Sequence, residues 1–266
     1  MGILKRSSPW EREYRDLWRQ EQKFLEKYGE RPAVSELDRK LDEKVPPTLR
    51  ETIHKAFIKA FEVVFEKGDG TIQKMVRRDK RQQEAIIRQY NVDRKESRRN
   101  LRAFRKASGA AGRGNVVLSS AAGVGMGLFG VALPDIPLFT AMLLKCVYET
   151  ADSNGFSTDP REEKLLALRI IEAALSDGGT LRQRDRAIDG YLQTGTWQTE
   201  TTLEEQIQAT ARQLSEAVIY GKFLQNIPVA GVVGGAKDGM YLSRVRKYAD
   251  LKYRKRFLLS RKLMGK

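Results

Sequence analysis

Apolar residues recur every three or four positions along most of this chain, and no segment alternates convincingly with period two, so helices are the expected unit throughout. Trp10, Tyr14, Leu17, Phe24, Leu25 and Tyr28 form one stripe among charges, which predicts an amphipathic helix ended by Gly29 and Pro32. A short polar helix around 36–42 precedes the Pro46-Pro47 break. Thr48 with Glu51 three residues later has capping-box spacing and opens a helix carrying Leu49, Ile53, Phe57, Ala60, Phe61 and Val64, which stops at Gly68. Ile72 to Tyr90 marks another helix, and Asp93 with Glu96 opens a third that ends near Ser108-Gly109. Farther on, Asp159-Pro160 reads as a cap with proline at the first helical position, and Leu165, Leu166, Leu168, Ile170, Ile171, Ala174 and Leu175 are apolar nearly all round, as in a buried helix. Gly178-Gly179 ends it, a shorter helix spans 181–192, and Thr202 with Glu205 opens another whose face is Ile207, Ala211, Leu214, Val218 and Phe223. A long basic helix bearing Leu242, Val245, Tyr248, Phe257 and Leu258 closes the chain. The expected class is all-α: an amphipathic N-terminal helical extension over 1–45 and one multi-helix domain over 46–266.

Two stretches break this pattern. Gly114 to Leu144 is apolar and glycine-rich, with Asp135 its only charge, and Phe223 to Ala236 is a second such run broken by Pro228. A bilayer core needs about 20 uncharged helical residues, and 114–134 has that length. Four glycines between 123 and 130, then Pro134 and Pro137, argue against a plain span. Gly123 and Gly127 lie four apart, as do Gly231 and Gly235, the spacing that lets two helix backbones approach closely. The expectation is a broken, close-packed hairpin in the core that can present Val124, Met126, Leu128, Phe129, Leu133, Ile136 and Phe139 to lipid when the surrounding helices open.

Charge changes the picture more than composition does. The formal net charge is +15, and it is regional: 74–113 holds 14 basic and 4 acidic residues, 237–266 holds 11 and 2, and the rest is slightly acidic. Such a distribution suits a face that meets phosphates. Nucleic acid is disfavoured as the partner, because stacking aromatics are sparse in the first cluster, where only Tyr90 and Phe104 occur. Anionic membrane needs only clustered cations beside an apolar element, which makes Arg98, Arg99, Arg102, Arg105 and Lys106 the candidate phosphate contacts.

Catalytic chemistry is poorly supplied. His54 is the only histidine and Cys146 the only cysteine, which excludes a Cys/His zinc site by count and an intrachain disulfide with it; no metal or other cofactor is expected. Gly125, Gly127 and Gly130 spell GxGxxG, but the Pro134 to Pro137 break denies them the crossover helix a dinucleotide needs, and no Walker sequence is present. Asp135, Lys145 and Glu149 form the one candidate polar cluster in the apolar region, Lys145 and Glu149 sharing a helical face. Their expected role is mutual neutralisation and helix capping; the alternative is a carboxylate-lined cavity of a hydrolase acting on lipid or peptide. No signal-peptide layout opens the chain, and MGILKRSS has Arg6 where a myristoylation signal has Ser or Thr, so a cytoplasmic protein is expected.

Residues 121–156, with a glycine-rich apolar start, the LPDIP turn, a leucine-rich helix and a closing Gly155-Phe156, resemble the EcsC family, named for a protein encoded beside a bacterial ABC transporter. The later IPVAGVVGGAKDGMYL, with Ile227, Pro228, Gly231, Gly234 and Gly235, is similar to that family's second motif, so that the resemblance runs from Pro46 to Leu259. It implies a membrane-linked protein on the cytoplasmic side and supplies no catalytic residues. The expected function is peripheral, reversible membrane or lipid binding in an accessory or regulatory role to a membrane system such as a transporter, with a hydrolase and a basic nucleic-acid binder as the competing readings.

Overall fold

The computed structural model describes residues 8–30, 45–67, 78–95, 97–110, 136–158, 160–225 and 236–264. Among them, every regular element is a helix: α1 (Pro9–Gly29), α2 (Pro47–Lys67), α3 (Arg78–Arg94), α4 (Arg98–Ala110), α5 (Ile136–Ser153), α6 (Arg161–Ala174), α7 (Gly178–Thr194), α8 (Leu203–Gln225) and α9 (Ala236–Met264). The all-α expectation holds. The predicted short helix at 36–42, most of the Gly114 to Leu144 run and the glycine ladders at Gly123, Gly127, Gly231 and Gly235 lie outside the described residues.

Some caps are local and legible and others are not; Pro160, expected at the first helical position, is the N-cap of α6, which begins at Arg161. Ser8 and Glu11 close a capping box on α1, the Ser8 hydroxyl accepting from the Glu11 amide at 3.0 Å and the Glu11 carboxylate accepting from the Ser8 amide at 2.9 Å. Thr202 and Glu205 do the same for α8 at 3.1 and 2.8 Å. Thr48 does not act as its spacing suggests: α2 begins one residue earlier, at Pro47, and the Pro46 carbonyl accepts from the Leu49 amide at 3.0 Å. Nor does Asp93 open α4. It lies within α3 and pairs with Arg261 at 3.2 Å, while the Ser97 hydroxyl accepts from the Asn100 amide. Gly178 and Gly179 start α7 instead of ending α6, which stops at Ala174.

The centre of the molecule is α9, the most basic helix. It packs against α1, α4, α5, α6 and α7, while α2 and α8 pair with each other and cover α5 and α6 from the other side, and α3 lies on α4 and α5. Leu242, Val245, Tyr248, Ala249, Leu251, Tyr253, Phe257 and Leu258 are buried on α9. Phe257 stacks on Phe104 of α4 with ring centroids 3.9 Å apart, and Trp10 of α1 closes the same aromatic group at 6.3 Å. Each such fully buried ring contributes about 1.5–3 kcal/mol of transfer free energy.

Two features set how the helices are organised. First, α1 does not stand off as an extension: Leu17, Phe24 and Leu25 are part of the common core, and Phe24 lies 5.1 Å from the Tyr248 ring. The inner part of its apolar stripe is buried because α9 and α7 lie along it, while Tyr14 stays exposed. Second, α5 is buried from Met142 to Ser153 on nearly every side, and its end is pinned by Asn154, whose amide donates to Ser108 Oγ and to the Thr150 carbonyl, each at 2.8 Å. Gly155 then turns the chain at φ +83°, the left-handed region that favours glycine, and leaves room for the Gln89 amide to donate to the Asn154 carbonyl at 2.9 Å.

Candidate functional site

The predicted phosphate contacts lie on α4, where Leu101, Phe104 and Ser108 face inward. Arg99, Arg102 and Lys106 fall three and four residues apart on the opposite face, with Arg98 on its flank, and all four are exposed. Arg105 differs. It is half-buried and reaches α1, 3.2 Å from Glu13 and 3.8 Å from Asp16, so it ties two helices together and is not an open contact.

The adjoining helix α3 supplies what the basic face lacks. Ala85 and Val92 are its buried positions, and they put Ile86, Ile87 and Tyr90 outside, exposed by 61, 60 and 62 %. Periodicity marks these three as a buried stripe, but only one of two overlapping apolar stripes on this helix can face α5, and the one led by the small Ala85 allows the closer approach. Exposed apolar side chains are ordinary singly, whereas these three lie within about one turn of the same helix. The Asn100 amide fixes the corner between the two helices, donating to the Asn91 carbonyl at 2.7 Å and the Lys95 carbonyl at 2.8 Å.

The second basic cluster has another fate. Lys252 is 0 % exposed, and its ammonium lies 2.6 Å from each of Glu21 on α1 and Asp185 and Asp189 on α7. Lys255 pairs with Glu21 and Asp189 at 2.7 Å, Arg254 with Glu13 at 3.1 Å and Asp250 at 3.3 Å, and Arg256 with Glu163 at 2.6 Å. Arg244 lies 3.8 Å over the Tyr28 ring and 3.1 Å from Asp177. Much of the C-terminal charge is therefore compensated inside the protein, and the expectation of a second phosphate-facing segment is corrected accordingly. The carboxylates of Glu21, Asp185 and Asp189 converge within 4.8 Å, a donor set able to hold a divalent cation. Here the Lys252 ammonium is the cation they surround. Burial alone would push its pKa down, but the three carboxylates outweigh that and hold it above the ordinary lysine value.

In the expected polar cluster, Glu149 is buried and paired with Arg81 of α3 at 2.9 Å, instead of with Lys145 one turn away. The reason is geometric: α3 crosses α5 at that point, so a long guanidinium arrives from outside while Lys145 is half-buried on its own helix. Asp135 lies outside the described residues, as do Val124, Met126, Leu128, Phe129 and Leu133. Of the remaining insertion candidates, Ile136 packs partly on the core and Phe139 is 3 % exposed, so Phe139 could reach lipid only if α5 left the core; Pro137 and Leu138 are the exposed residues at this end. His54 lies 3.3 Å from the Gln208 carbonyl, joining α2 to α8.

Cys146 is fully buried on α5, and burial pushes its thiol up to about 12. Thiolate is the reactive form, so a thiol reagent at pH 8 should leave the folded protein unmodified and titrate one thiol once denaturant is added. Reaction of the native protein at the rate of free cysteine would refute that placement.

Among the described residues no helix is long and apolar enough to cross a membrane. Comparison with curated proteins and with solved structures finds no significant match. The model of the EcsC protein family matches residues 9–258. That span begins at α1, well before the two glycine-rich motifs, and agrees with the packing of α1 into the core. With nearly the whole helical assembly covered, the chain belongs to the EcsC protein family.

Proposed function

We propose that this protein is a peripheral, reversible membrane-binding protein that docks on anionic lipid of the cytoplasmic leaflet. The observation that carries the reading is that two helices in contact, α3 and α4, leave Ile86, Ile87 and Tyr90 exposed on the one and Arg98, Arg99, Arg102 and Lys106 exposed on the other. Cations draw the surface to anionic headgroups, each contributing on the order of 1 kcal/mol, and the apolar side chains enter the interfacial layer. The chain continues from α4 directly into the apolar run that ends at α5, which gives the surface a second apolar element in sequence. An accessory or regulatory role beside a membrane system such as an ABC transporter fits this placement.

Co-sedimentation with phosphatidylcholine vesicles, with and without phosphatidylserine, tests the reading. Binding should require the anionic lipid and fade as salt rises, since exposed charges are screened over about 10 Å at 0.1 M. Indifference to vesicles at low salt, with retention of duplex DNA or RNA, would favour the nucleic-acid reading instead.

A further inference from the structure

A cleft of about 680 Å³ opens between α6 and α7 and the loop that follows α7. Gly195 adopts φ +76° at the end of α7 and turns the chain back, so that Trp197 lies flat on Tyr191 with centroids 4.0 Å apart and planes 7° from parallel. Arg169 of α6 lies over the Trp197 ring at 3.9 Å. Both Arg169 hydrogen bonds go to uncharged acceptors, Nε to Gln206 Oε1 at 3.0 Å and Nη2 to Thr201 Oγ1 at 2.8 Å, out of the five donors a guanidinium carries. The nearest influential acid, Glu172, is already bridged to Arg184 at 2.6 Å and reaches Arg169 only through Gln206. Partial burial accordingly pulls Arg169 below the usual arginine range, against Glu172.

The rest of the lining adds donors and no acid: Arg186, Gln183, Gln198 and Thr199. A half-buried cation without a carboxylate of its own, lining an acid-free cleft together with a second arginine, is a site for an oxyanion. The Trp197 ring is covered by Arg169 and Tyr191, so a nucleobase has no place to stack on it.

We propose that this cleft binds the phosphate group of a small phosphorylated ligand, at a site separate from the α3 and α4 surface. The source of the phosphate is either a soluble phosphomonoester or a lipid headgroup, and the test separates them. Isothermal titration of the full chain with pyrophosphate and glycerol 3-phosphate should give saturable binding, weakened roughly tenfold or more in Arg186→Gln, which removes one charge-assisted contact at an exposed position. Arg169→Lys, which keeps the charge and loses the planar stack, should weaken it too, with an unchanged circular dichroism spectrum in both variants. If the phosphate belongs to a lipid, the unsubstituted protein should prefer phosphatidic acid to phosphatidylserine in vesicles, and Arg186→Gln should lose that preference. Neither soluble binding nor a lipid preference, or either one surviving Arg186→Gln, would overturn the proposal. So would loss of pyrophosphate binding on reversing Arg98, Arg99 and Arg102, because the anion would then be held on α4.

Discussion

Lys252→Ala should cost about 3–5 kcal/mol of folding stability, the penalty for leaving buried charges without their partner. The ammonium is the shared partner of Glu21, Asp185 and Asp189, and all three oxygens lie 2.6 Å from it. Lys255 would still serve Glu21 and Asp189, but Asp185 would keep only the Tyr248 hydroxyl, at 2.8 Å. Three carboxylates within 4.8 Å would then repel one another in a medium with little water to screen them. The melting temperature should fall by roughly 10 °C, given a few degrees per kcal/mol for a domain of this size. Two further variants identify the cause. Lys252→Met restores most of the volume and should rescue little, whereas Asp185→Asn added to Lys252→Ala removes a stranded charge and should recover part of the loss. If methionine alone restored stability, lost packing and not the stranded charge would be the main cause. The pH dependence follows from the direction of the shift. Because the folded protein holds the Lys252 pKa above its unfolded value, the stabilisation is fully present below the unfolded value near 10.4 and is lost only as pH rises through the folded one. Stability near neutrality should therefore not respond to this lysine's titration.

The helices are legible in the sequence because each has an apolar stripe, and the all-α class follows from them. The caps are legible where Ser or Thr stands just outside the first turn, as at Thr202, and misleading where the residue with cap spacing already lies inside the helix, as Thr48 does behind Pro47. The interior ion network leaves a trace that averages over charge conceal. Glu21 stands between Leu17 and Phe24 on the buried stripe of α1; Asp185 stands between Leu181 and Ile188 on that of α7; Lys252 continues the line of Val245 and Tyr248 on α9. A charge at a stripe position predicts a buried partner, yet sequence spacing on one helix cannot say which other helix supplies it. The same limit explains Glu149, whose partner Arg81 is 68 residues away, and α3, where Ile86 and Ile87 have the spacing of core residues but Ala85 takes the place against α5. What sequence does locate is the exposed basic face of α4, because its arginines fall opposite Leu101 and Phe104.

Reversing that face is expected to abolish vesicle binding. Arg98→Glu, Arg99→Glu and Arg102→Glu together remove three attractions of on the order of 1 kcal/mol each and put repulsions in their place, so affinity for anionic vesicles should fall by roughly two to four powers of ten. The fold should tolerate the change, since all three side chains are exposed and the buried side of α4 is carried by Leu101, Phe104 and Ser108. Arg105 must be left alone: its reversal would set a carboxylate against Glu13 and Asp16 and loosen α1, confusing lost binding with lost structure. Ile86→Ser with Ile87→Ser supplies the complementary arm, because it leaves the charges and removes apolar area that is already in solvent. That pair should weaken binding while leaving its salt dependence intact, whereas the triple reversal should remove the salt-dependent component altogether. Unchanged binding in the triple variant would take α4 out of the membrane-facing surface, and unchanged binding in the serine pair would reduce the contact to electrostatics alone.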